Sequence, residues 1–181
     1  GDGMWGFDRH GVVPDLVTIG KPMAAGMPVA AVVASTAVAS AVGADLPYFN
    51  TFGGNPVSMA AAQAVLDVVR EENLIGNARD RGRDLVAGLE ALRREYPTIG
   101  DVRGAGLFVG VEFVTQPDGT VPDTTAAALV VNRLRDKGVL LSTAGVHGNV
   151  LKVRPPLPIT TAEVEYFLAV LAEVLAEVTV R

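Results

Sequence analysis

Val13-Pro14-Asp15-Leu16-Val17-Thr18-Ile19-Gly20-Lys21 is the stretch on which the fold turns. Leu16 to Ile19 is a short apolar, partly β-branched run closed by a glycine, which predicts a buried strand with Lys21 at its carboxyl end. Val29 to Ala34 reads as a second strand of the same kind. Strands apolar on both faces predict an α/β domain with a parallel or mixed sheet covered by helices. The carboxyl end of such a strand is where open α/β sheets hold their ligands. Burial there disfavours the ammonium form and leaves an amine fit for carbonyl chemistry. A lysine whose stem lies on apolar surface while its head reaches water fits the same position.

Working outward, Asn50-Thr51-Phe52-Gly53-Gly54-Asn55-Pro56 reads as a loop, an N-cap and a first-turn proline, with a helix running to about Glu72. Glycines let backbone approach a ligand closely, and a helix N-terminus offers free N–H groups to a phosphate, with the Thr51 hydroxyl as a further donor. An ordinary glycine-rich turn before a capped helix has the same sequence. Val57 to Leu66 is Ala-rich and nearly uncharged all round, the pattern of a helix inside a core or an interface.

Beyond Glu72 the character changes. Asn77 to Tyr96 predicts an amphipathic helix with Leu85, Leu89, Leu92 and Tyr96 on one stripe, stopped by Pro97. Leu107, Val109, Val111 and Phe113 alternate as one face of a strand, and Pro117-Asp118-Gly119 predicts a turn. Asp123 caps a helix ending at Gly138; Val139 to Leu141 and Val150 to Val153 read as short strands around a loop holding His147. Thr160-Thr161-Ala162-Glu163 is a capping box opening a last helix striped by Val164, Phe167, Leu168, Leu171 and Val174. Lys152 and Arg154, two apart, share a strand face just before Pro155-Pro156. Such a pair can bind a carboxylate or phosphate, or it can be the charge that protects a solvated edge strand. The domain expectation is residues 1–74 as one α/β piece and residues 75–181 as a small α+β domain.

Composition narrows the chemistry. The 181 residues are 49% hydrophobic and 19% charged, which excludes a disordered chain, and the net charge of −5 favours neither nucleic acid nor an anionic membrane. No cysteine and two histidines leave no thiolate nucleophile and no expected metal site. Ser58 and His147 have no acid partner at triad spacing, and Gly20-Lys21-Pro22 is not a phosphate-binding P-loop. Pro22 to Ala44 is uncharged and long enough to span a bilayer, but it lacks leucine and is broken by Gly26 and Pro28, so it is expected as buried strand and loop. The opening residues carry no signal-peptide pattern, and a cytoplasmic location is the expectation.

Taken together, these stretches resemble the class III pyridoxal-phosphate-dependent aminotransferases. Val13 to Lys21 is similar to the family's lysine motif, and Tyr48 to Ser58 to its second signature. Gly100 to Phe108 and Pro155-Pro156-Leu157 are similar to its small domain, so the resemblance runs along essentially the whole chain. Gly20-Lys21-Pro22-Met23 and Val139-Leu140-Leu141-Ser142 are closest to the branch of ethanolamine-phosphate phospho-lyase and alanine–glyoxylate aminotransferase. The resemblance implies fold type I: part of a large domain with a mostly parallel sheet, then the small C-terminal domain. It implies pyridoxal 5'-phosphate as cofactor, Lys21 as the residue forming the internal aldimine and shuttling the α-proton, and Thr51 binding the cofactor phosphate of the neighbouring subunit in a homodimer. Lys152 and Arg154 fall to the substrate. The family's usual carboxylate-binding Arg, three residues before the proline pair, is Lys152 here, as in the phospho-lyase branch. A compact ammonium suits a phosphate, whereas a carboxylate prefers the planar fork of Arg.

The family's glycine-rich phosphate loop, ring-stacking aromatic and pyridine-pairing Asp find no counterpart here, so the chain is expected to be the C-terminal part of a longer enzyme. The main expectation is amino transfer from an amine or amino acid to an oxo acid. A phospho-lyase acting on a phosphorylated amine, and an inert piece contributing only folding and dimer surface, are the alternatives. Pro22 to Ala44 and Val57 to Leu66 are expected to form an exposed apolar patch on this chain alone.

Overall fold

The structure is a computed structural model that describes Gly1, residues 3–116 and residues 121–179. The expected turn at Pro117-Asp118-Gly119 lies outside the described residues. The chain divides into two compact units, Gly3–Leu74 and a second built from Ile75–Arg181.

The first unit opens with a 3-10 turn at Gly6–His10, followed by β1 (Leu16–Ile19), β2 (Ala31–Ala34), α1 (Thr36–Asp45) and α2 (Pro56–Glu71). β1 and β2 pair antiparallel from Leu16↔Ala34 to Ile19↔Ala31, and the Ser35 N–H donates to the Asp15 carbonyl at 3.0 Å beyond the ladder. This corrects the expectation of strands buried on both faces. β1 alternates exposed and half-buried positions and β2 exposes both of its central valines, because a two-stranded ribbon brings no helix layer to cover it. The stretch from Pro22 to Ala44 is also not buried strand and loop: it holds a run of turns, β2 and most of α1, with only Ala24 buried. Alanine and serine in α1 set no apolar period, so the helix was hidden from a pattern reading. In α2 only Ser58 and Ala62 are buried. Val32, Val33, Val42 and Val57 are exposed, so both stretches do present apolar surface. No described helix is long and apolar enough to cross a membrane.

The second unit is an antiparallel four-stranded sheet in the order β3-β4-β6-β5 (Ile99–Ala105, Phe108–Phe113, Val150–Val153, Ser142–Ala144), packed with α3 (Leu74–Glu95), α4 (Thr124–Asp136) and α5 (Thr161–Thr179). Val109, Val111 and Phe113 put one face of β4 into the core, as their alternation requires. Leu151 and Val153 add the neighbouring strand. Against them lie Leu85, Leu89 and Leu92 of α3, Val130 and Leu134 of α4, and Val164, Leu171 and Val174 of α5, all at helical spacing. Each fully buried Leu or Phe contributes about 1.5–3 kcal/mol. Caps define the helix ends: Asp123 accepts from the Ala126 N–H at 2.8 Å, and Gly138 takes φ 84° just beyond α4. The capping box forms as expected, with the Thr160 N–H donating to Glu163 at 2.8 Å and the Glu163 N–H to Thr160 Oγ1 at 3.3 Å.

Three elements differ from the sequence reading. α3 begins at Leu74, three residues before Asn77. β3 was missed, because Gly100, Asp101, Arg103 and Gly104 conceal its alternation. Val139 to Leu141 is not a strand; β5 starts at Ser142, paired with Lys152. In that register Val139 falls opposite Pro155, which has no N–H to extend the ladder.

Candidate functional site

Lys21 stands two residues beyond β1 at φ 21°, directly before Pro22. The turn is closed by the Met23 N–H donating to the Gly20 carbonyl at 2.9 Å. Two more such bonds follow, Ala25 to Pro22 at 3.2 Å and Met27 to Ala24 at 3.1 Å, so the connection to β2 is a chain of tight turns. A positive φ on a residue that carries a Cβ is sparsely populated and costs energy. The Lys21 side chain is exposed, with no hydrogen bond or ion pair among the described residues. The desolvation expected from a buried strand end is therefore not supplied by this unit, while the amine is sterically free to react.

Thr51 lies in a loop organised by two asparagines. Asn50 Oδ1 accepts the N–H groups of Phe52 at 3.2 Å and Gly53 at 2.9 Å, and Gly54 takes φ 70°. Asn55 caps α2: its Oδ1 accepts the Ser58 N–H at 3.0 Å, with Pro56 at the first helical position. Asn55 Nδ2 also donates to the Phe52 carbonyl at 3.0 Å and to Ser58 Oγ at 3.1 Å. Thr51 is exposed, flanked by Phe49 at 86% and Phe52 at 80% exposure. An exposed amine can condense with an aldehyde, and an exposed hydroxyl beside a glycine-rich helix entrance can bind a phosphate ester; pyridoxal phosphate carries both groups.

Lys152 and Arg154 belong to the second unit. β6 ends at Val153 and runs between β4 and β5, so the protected-edge reading of this pair does not hold. Arg154 lies past the strand end, and strand parity alone no longer pairs the two cations. A cavity does: both line one of about 530 Å3, together with Leu85, Leu141, Ser142 and Phe167. Neither has an ion pair among the described residues. Apolar side chains and two cations without an ion pair suit an anion carrying a hydrocarbon portion; the Glu163 carboxylate, held by Thr160, lines the same cavity.

Lys21 and Thr51 thus share one unit, and Lys152 and Arg154 share one cavity in the other. Sequence reasoning missed the use of Ser58, which it weighed only as a hydrolytic nucleophile. Ser58 is 3% exposed, and its hydroxyl donates to the Pro28 carbonyl at 3.1 Å. It missed Asn77 as well, whose Nδ2 donates to the carbonyls of Leu157 at 2.7 Å and Ile159 at 2.9 Å, pinning the connection that follows Arg154. The Asn-Pro cap signal places the Ser58 N–H within reach of Asn55; nothing local marks Asn77.

The sequence model of the class-III aminotransferases matches residues 2–175. An alanine–glyoxylate aminotransferase 2-like protein of Drosophila melanogaster is 43% identical over 98% of this chain, which spans 36% of that relative's length. A phospholyase from Arthrobacter, solved in complex with phosphoethanolamine, superimposes with a TM-score of 0.92 at 39% identity, covering 96% of this chain and 41% of that one. An amine transaminase from an uncultivated Pseudomonas species, solved in its PLP-bound internal aldimine form, gives a TM-score of 0.87 at 30% identity, over 97% of this chain and 41% of that one. The chain spans about a third of the length of the curated relative and about two fifths of the solved ones.

Proposed function

This chain belongs to the class-III aminotransferase family, and from that premise we propose that the protein it forms part of transfers an amino group from an amine or amino acid to an oxo acid with pyridoxal phosphate. The observation that carries the reading is Lys21: an exposed amine at the carboxyl end of a strand, held in a tight turn, with no partner among the described residues. When bound, the cofactor supplies an aldehyde carbon for that amine and an electron sink for the substrate α-carbon. Lys21 holds the cofactor through its nitrogen and moves the proton at the substrate α-carbon. Thr51 binds the cofactor phosphate with its hydroxyl, and Lys152 and Arg154 hold the anionic end of the substrate. A homodimer in which Thr51 serves the neighbouring subunit is supported by the exposed rings of Tyr48, Phe49 and Phe52 around it.

A second reading has an observation of its own. Lys152, half-buried at the cavity wall, carries no carboxylate partner among the described residues, and a lone ammonium favours phosphate over carboxylate. That favours a phospho-lyase acting on a phosphorylated amine.

The full-length protein tests both readings. Loading with pyridoxal phosphate and reduction with borohydride is expected to leave the pyridoxyl group on Lys21; its absence there would reduce the chain to a structural piece. Oxo-acid-dependent amine consumption supports the transaminase. Ammonia and phosphate released from phosphoethanolamine without an oxo acid would replace it with the lyase.

A further inference from the structure

Between β1 and β2 the chain leaves the ribbon at Gly20 and returns at Ala30, and Lys21 stands at the start of this excursion. Its far end is fastened by one side chain. Ser58 Oγ donates to the Pro28 carbonyl at 3.1 Å across thirty positions of sequence. The same oxygen accepts from Asn55 Nδ2 at 3.1 Å, and the other Nδ2 hydrogen goes to the Phe52 carbonyl at 3.0 Å. Both amide hydrogens, the hydroxyl hydrogen and a hydroxyl lone pair are all used. The result is an unbroken relay from the residue after Thr51 to the arm that carries Lys21. The hydroxyl is almost fully buried, so water does not readily replace it once removed.

We propose that Ser58 is a positioning residue for the cofactor, joining the Lys21 arm to the Thr51 loop through Asn55. The inference rests on the functional reading above. Under that reading Thr51 serves the neighbouring subunit, so each relay aligns, within one chain, one contact for each of two cofactors. Without the hydroxyl, both segments keep their residues but lose their fixed separation. The loss then falls on cofactor binding, in addition to any loss of stability.

The test uses the apo form of the full-length protein, titrated with pyridoxal phosphate and followed by the absorbance of the bound cofactor. Ser58→Ala is expected to raise the dissociation constant about tenfold, the scale of one buried hydrogen bond, at a temperature where the apo protein is folded. A lower apo Tm with an unchanged dissociation constant would overturn the proposal and leave Ser58 a packing residue of α2. Where Ser58→Ala does not fold, Asn55→Ser decides. It keeps an oxygen to cap the Ser58 N–H while removing both amide hydrogens. Weakened binding in that variant supports the relay, and unchanged binding overturns it. Borohydride trapping of the wild-type protein is read separately. An adduct on Lys21 with no effect of either variant sinks only this inference, whereas no adduct on Lys21 removes the cofactor reading beneath it.

Discussion

Gly82 on α3 has no room for a side chain. A Cβ built there would stand 2.4 Å from the carbonyl oxygen of Gly106, and one on Gly104 would stand 2.4 Å from that of Phe108. Both obstacles are backbone, which yields only if an element moves. Gly82→Ala is therefore expected to destabilise the protein by about 1–3 kcal/mol despite alanine's better helix propensity, as read from the urea midpoint of the circular dichroism signal. At the cavity of the same unit, Lys152→Ala in the full-length enzyme is expected to raise the KM for its anionic substrate roughly ten- to hundredfold, the scale of a charge-assisted hydrogen bond. A wild-type KM would take Lys152 out of the substrate contact. Lys21, Thr51, Lys152 and Arg154 stood out in the sequence because each lies within three residues of a glycine or proline signal. Ser58 and Asn77 did not stand out: their partners are carbonyls 30, 80 and 82 positions away. A carbonyl is the same in every residue, so no pattern of side chains announces it.

Among the elements, α5 carries a pH signature at its start. The Thr160 backbone N–H and then its hydroxyl hold the Glu163 carboxyl below the usual glutamate range. The folded-state value is the lower one, so the box contributes stability above the ordinary glutamate range and loses it as pH falls through the depressed value. Thr160→Ala removes the hydroxyl but keeps the backbone N–H, so it is expected to return Glu163 part of the way to its ordinary titration and to soften the acid limb of the stability curve, measurable by NMR titration of the Glu163 carboxyl and by Tm against pH. Lys137, at the end of α4, behaves oppositely. Hydrogen bonds to Glu177 and Glu173 raise it, so this contribution is present at neutral pH, where both carboxylates are ionised, and fades as pH rises through the raised value. Helix caps were legible because they are made within four residues. β3 and β5 were not, because glycines mask the first and the ladder of a neighbouring strand sets the limits of the second.

At the level of the whole molecule, the two units differ in how they are held. Residues from Ile75 onward own a continuous core of three helices and a sheet, whereas Gly3–Leu74 buries few side chains and leaves Leu16, Val33, Phe49 and Val57 exposed. Residues 75–181 produced alone are expected to unfold in one cooperative transition by calorimetry. Residues 3–74 alone are expected to melt without one and to bind a hydrophobic dye. A cooperative transition in the shorter piece would show that its apolar faces need no cover. The amphipathic stripes of α3 and α5 and the alternation of β4 were readable because their cover lies within the same unit. The apolar run of β1 was misread as buried because the sequence reports what a face prefers, and only a packed neighbour decides whether it is met.

The turn that presents Lys21 also decides how its modification can be found. Trypsin does not cut between a lysine and a proline, and Lys21 is followed by Pro22. The next basic residue after it is Arg70. A tryptic digest therefore delivers Lys21 only within one long, largely apolar peptide from His10 to Arg70, prone to be lost before mass analysis. Chymotrypsin or a protease specific for acidic residues, cutting near Tyr48 or after Asp15, is the tool for locating a reduced adduct on this lysine.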